Sequence, residues 1–98
     1  MDLSWCNGWR EISDEKHRLY IERELQWELD QVSEHPLHGI LFRVVGGCNL
    51  YNDFIVRLED ERSYGYVHLV WTAAAPMFKR LGNPEALHQF IREWKEQS

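Results

Sequence analysis

His68 is the side chain best placed for acid–base chemistry. It lies in the run Tyr64-Gly65-Tyr66-Val67-His68-Leu69-Val70-Trp71, where Val67, Leu69 and Trp71 alternate with Tyr66, His68 and Val70. An earlier run alternates in the same way, with Phe54, Val56 and Leu58 interleaved with Asp53, Arg57 and Glu59. Alternation of this kind marks a half-buried strand, because successive side chains point to opposite faces. If the two runs form a hairpin, Asp53 lies on the diagonal from His68, within reach of its ring. An aspartate beside a histidine can orient the imidazole as a general base. One reading is therefore a small enzyme with His68 and Asp53 as catalytic residues. No Ser or Cys stands at a spacing that would supply a nucleophile, so a structural hydrogen bond or ion pair is the preferred reading.

Other groups are candidates for metal, thiol and binding chemistry. A metal centre needs three or four convergent ligands, and the candidates are His35, His38, Cys48, Asp53 and His68. His35 and His38 sit three apart in a proline-containing connector, without a glutamate or a second paired motif, and that pattern is weak. We therefore expect no metal and no cofactor. His17 and His88 lie on predicted helices and read as surface residues. Cys48 follows Gly46-Gly47, but nothing in the sequence lowers its pKa, and it reads as an inert thiol. The glycine pair belongs to no phosphate-cradle motif. Arg43, Arg57, Tyr64, Tyr66 and His68 share the mixed face of the predicted sheet. Tyr and Arg are enriched at protein interfaces, so these five are the expected binding residues. Aromatic and basic residues on a sheet can also stack single-stranded nucleic acid. Here Asp53 and Glu59 share the face and the chain carries −5, which argues against a nucleic-acid partner.

The elements that must carry these side chains can be read from period and punctuation. A polar tetrapeptide, Asp60-Glu61-Arg62-Ser63, predicts a four-residue hairpin loop. The register would then pair Glu59 with Tyr64, Arg57 with Tyr66, Ile55 with His68 and Asp53 with Val70. A first strand is predicted at Ile40 to Val45. Ser13 is the expected N-cap of a first helix running to about Val32, with Ile21, Leu25, Leu29 and Val32 as its buried stripe. Glu22, Glu24, Glu28 and Asp30 are expected on or beside its opposite face. Asn83 and Pro84 open a second helix with the stripe Leu87, Phe90, Ile91 and Trp94. The stretch between, TAAAPMFKRLG, reads as a connection. Residues 1–10 fit no period, and Trp5 and Trp9 are expected to pack over one end of the core.

The expected fold is α+β, in the order α-β-β-β-α. It is a two-layer sandwich, with a three-stranded antiparallel sheet and two helices on one face. Ninety-eight residues make a single domain over 1–98. The other sheet face would be open to solvent, or covered by residues 1–10.

Charge is unevenly placed. Residues 11–34 hold eight acids and three bases, so the first helix region carries essentially all of the net charge. That suits either a solvated helix face or an acidic docking surface for a basic partner. No apolar run approaches the ~20 residues needed to span a bilayer. Met1-Asp2 leads into no apolar segment, so no signal peptide is expected. We expect a cytoplasmic protein with reduced thiols and no membrane association.

Three segments resemble a family of small bacterial proteins of uncharacterised function: His35-Pro36-Leu37-His38-Gly39 after a helix, Asn52-Asp53-Phe54-Ile55 opening a strand, and Val67-His68-Leu69-Val70-Trp71. That family favours Tyr in place of His38, a paired Asp at Asn52-Asp53 and Thr in place of Val70. The resemblance spans roughly residues 25–95 and implies a small bacterial cytosolic domain with His68 on a recurring strand motif. It implies no activity and no site residues. The functional expectation is thus a small protein-binding domain, inhibitor- or immunity-like or an adaptor. It would use the acidic first helix or the Tyr/Arg sheet face, towards a protein partner or a second copy of itself. The alternative is the His68/Asp53 enzyme.

Overall fold

Asp14, one residue later than expected, caps the first helix: its carboxylate accepts the Lys16 N–H at 3.0 Å. The computed structural model describes residues 5, 8–31, 34, 35, 37, 39–48, 52–59, 62–69 and 76–94. Helix α1 spans Glu15–Asp30 and buries Ile21, Leu25 and Leu29 as the periodicity predicts. Val32 lies outside the described residues.

Among the described residues the chain forms five strands in one antiparallel sheet, in the spatial order of the sequence. They are β1 (Arg10–Glu11), β2 (Phe42–Gly47), β3 (Asp53–Leu58), β4 (Tyr64–His68) and β5 (Met77–Gly82). Helix α2, Pro84–Glu93, follows with Asn83 as its N-cap and Pro84 in the first turn, as expected. The α+β class and the antiparallel sheet hold. The expected three strands become five, because residues 77–82 form a strand and Arg10–Glu11 adds a short edge.

The hairpin register is also corrected. Asp53 pairs with His68, Ile55 with Tyr66 and Arg57 with Tyr64. The Leu58 N–H donates to the Ser63 carbonyl at 3.0 Å, so the loop is residues 59–62 rather than 60–63. Moving the loop by one residue slides the pairing by two. A slip of two leaves every side chain on its predicted face, which is why the apolar set is unchanged. Residues 60, 61, 70 and 71 lie outside the described residues.

The helices do not share a face. Ile21, Leu25 and Leu29 of α1 pack with Val44, Phe54, Val56, Leu58, Val67 and Leu69 on one side of the sheet. Leu87 and Ile91 of α2 pack with Ile55, Tyr64, Trp9 and Cys48 on the other. The result is three layers, helix–sheet–helix, instead of the predicted two. Ile55 explains the difference: it shares its face of β3 with Asp53 and Arg57 yet is fully buried, so the mixed face has an apolar centre that must be covered. Gly82, with φ of 111°, turns the chain out of β5 toward that face.

Candidate functional site

Asp53 opens β3 and His68 closes β4, and as cross-strand partners they meet directly rather than on the diagonal. The His68 Nδ1 lies 2.8 Å from Asp53 Oδ1, and the Tyr66 hydroxyl donates to the same oxygen at 2.6 Å. With its Nδ1 facing the carboxylate, His68 leaves Nε2 as its outward nitrogen, and about a third of its side chain is exposed. Asp53 is far less exposed, at 14%. The Tyr66 phenol is pushed well above its ordinary value, by burial first and then by its hydrogen bond to Asp53 and that carboxylate's charge. It therefore stays a neutral donor. Cys48 is buried close to this phenol, and the Cys48 N–H donates to the Asp53 carbonyl at 3.0 Å. The arrangement fixes an imidazole with a carboxylate behind it, which is a general-base geometry in outline.

The structure disperses the rest of the expected Tyr/Arg surface. Tyr64 is buried. Tyr66 packs against Phe90 and Trp94 at ring separations of 5.3 and 5.5 Å, with Trp9 edge-on at 6.3 Å. Both tyrosines are thus internal packing beneath α2, and the expectation that this half of the face is open is wrong. The reason is the second helix, whose Leu87, Phe90, Ile91 and Trp94 stripe needs an apolar partner that the α1 side cannot provide. Trp5 and Trp9 do lie over this face, as the competing expectation for residues 1–10 has it. Arg43 and Arg57 stay near the surface, directly opposed across β2 and β3. They line an open groove of about 450 Å³ with Glu11, Ser13, Glu15 and Arg18.

Of the metal candidates, His38 lies outside the described residues. Among the described residues no group of three or more His, Cys, Asp and Glu could hold a metal ion. His35 is instead a buried staple. The Leu37 N–H donates to its Nδ1 at 3.0 Å, which makes Nε2 the protonated nitrogen, 2.6 Å from the Pro76 carbonyl. It ties the connector after α1 to the start of β5.

Three features escape sequence reasoning. Glu22, expected on the solvent side, accepts the Val44 N–H at 2.9 Å and covers part of the edge of β2. Glu28, also assigned to the outer face, is fully buried. The third is an apolar stretch on the outer surface. Leu19, Tyr20 and Trp27 of α1 and Leu41 before β2 are exposed, Trp27 by 48% and Leu41 by 69%. Leu19 and Leu41 border an open groove of about 250 Å³ with Gln26, Ile40 and Phe42. Tyr20 and Trp27, seven residues apart, lie on the neighbouring line of the same helix. The signal for it was present in Tyr20 and Trp27, which sit at the margin of the apolar stripe.

No protein-family model, curated protein or solved structure matches this chain. Among the described residues no helix is long and apolar enough to cross a membrane.

Proposed function

We propose that this chain is a small protein-binding domain of the cytoplasm whose contact surface is the outer side of α1. The observation that carries this is the exposure of Leu19, Tyr20, Trp27 and Leu41 around one helix and the groove beside it. Single exposed apolar residues are ordinary, but four large ones on one helix and its groove suit an interface. Trp and Tyr dominate binding energy when a partner buries them. The same region carries the chain's excess of acid, with eight acids to three bases over residues 11–34. A second copy of the chain would bring that charge against itself, so the partner is a basic protein segment with an apolar anchor rather than a homodimer.

The test is a partner recovered from the native host, purified and titrated calorimetrically. Leu41→Asp combined with Trp27→Asp should weaken binding by about a hundredfold or more, since buried anchors each carry about 2 kcal/mol or more. Added salt should slow association. An unchanged affinity in a folded double variant would remove α1 from the interface.

A second reading is supported by the shared Asp53 oxygen, which holds His68 in one orientation. In that reading His68 is a general base toward a substrate proton. Its activity would be lost in His68→Gln with the fold retained, and reduced in Asp53→Asn.

A further inference from the structure

Arg43 and Arg57 occupy directly opposed positions of an antiparallel pair, so both guanidiniums rise from the same face of the sheet. Like charges placed directly opposite destabilise a sheet. Neither arginine has a hydrogen bond or ion pair among the described residues, whereas Arg18 in the same groove is held by Glu15 and Glu22. Helix α2 sits over β4 and β5, and the pair stands beyond it. One open groove, with Glu11, Ser13 and Glu15, lies on one side of the pair, and a second of about 230 Å³, with Leu41 and Glu59, lies on the other.

We propose that Arg43 and Arg57 form a clamp for a compact, doubly charged oxyanion, the phosphoryl group of a phosphomonoester. Two charges on the ligand match two on the protein and remove the repulsion between the arginines. Each guanidinium presents a planar fork of N–H donors, suited to phosphate oxygens at bidentate geometry. Strand pairing holds the two Cα positions side by side, and half-buried Arg57 stands beside buried Tyr64 on the same face. Glu11, Glu15 and Glu59 border the grooves on both sides. These carboxylates would repel an extended polyanion such as a nucleic-acid strand, which favours a single compact phosphoryl group. The site is separate from His68 and adjoins the proposed α1 contact surface at Leu41, which borders both grooves.

The probe is inorganic phosphate at about pH 8, where phosphate esters and phosphate itself carry close to two charges. Wild-type protein should melt higher in phosphate than in chloride at equal ionic strength, and calorimetry should show one site. Arg43→Gln and Arg57→Gln should each weaken phosphate binding by about tenfold or more, as expected for loss of charge-assisted hydrogen bonds. Without phosphate, both variants should be at least as stable as the wild type, because the opposed charges are gone. A phosphoserine peptide binding more tightly than inorganic phosphate would place the group on a protein side chain, and equal binding would place it on a small molecule. Either result depends on the clamp. No phosphate-dependent shift in the wild type, or the same shift in both variants, would overturn the proposal.

Discussion

Glu28 is a carboxylate with no exposed surface, the most deeply buried acid of α1. Glu24, one turn earlier, shares a hydrogen bond with it. The Glu24 carboxyl is pushed up to about 7, by burial first and then by that hydrogen bond and the charge of Glu28. The folded state thus keeps a proton that the unfolded chain releases near the ordinary value of 4.5. Stability from this pair is fully present below that value and is lost as pH rises from about 4.5 through about 7. Glu24→Gln should remove this fall, so urea midpoints taken across that range should decline less in the variant than in the wild type. Parallel declines would show that the proton is held elsewhere. Nothing in the sequence distinguished Glu28 from its neighbours, because a carboxylate one helical step from the apolar stripe can point either way. His35 was visible as a histidine with unusual neighbours, but only the structure separates a ligand from a staple. His35→Ala leaves the Leu37 N–H and the Pro76 carbonyl without their buried partner, and should cost about 2–5 kcal/mol in a denaturant melt. A change below about half a kcal/mol would mean that water replaces the ring.

At the scale of elements, legibility followed length and regularity. Helix α2 was readable because Asn83, Pro84 and four apolar residues agree on one answer. The hairpin was readable as to faces but not as to register, since a polar loop fixes its own ends poorly. Strand β5 was missed because Pro76 precedes it and the register shifts against Tyr64-Gly65, which breaks the period of two. Strand β1, at two residues, is too short to show any period. Beyond its ladder with β4, one side-chain contact presses β5 onto its neighbour. A Cβ on Gly65 would stand 2.3 Å from the Phe78 ring, so glycine lets that ring lie against the backbone of β4. Gly65→Ala should therefore destabilise by about 1–3 kcal/mol, as overpacking does. In a Phe78→Ala background the added methyl should be nearly neutral. Equal costs in both backgrounds would mean that β5 does not press on β4 through this ring.

The whole molecule is a sheet with a separate apolar layer on each side. Alternation alone puts both helices on one side, because it leaves every polar position on the hairpin facing water. The α1 layer holds Ile21 with Val44, Phe54 and Val67, and the α2 layer holds Ile91 with Ile55, Tyr64 and Leu87. The two sets share no residue, so a change in one should not be felt in the other. Ile21→Val and Ile91→Val, both at buried positions, should each cost about 0.5–1.5 kcal/mol. Combined, their costs should add to within about 0.5 kcal/mol, as for sites without common partners. Chemical denaturation of the two single variants and the double variant measures the difference. Independence of the layers is also what the functional readings need. The proposed contact surface rides on α1, while the opposed arginines and His68 project from the other face of the sheet. If the layers are independent, a partner on α1 and an oxyanion on Arg43 and Arg57 influence each other only at the surface, around Leu41, which borders both grooves. A coupling larger than about 1 kcal/mol between the two isoleucines would mean that the sheet transmits strain, and the two surfaces would then have to be treated as one linked system.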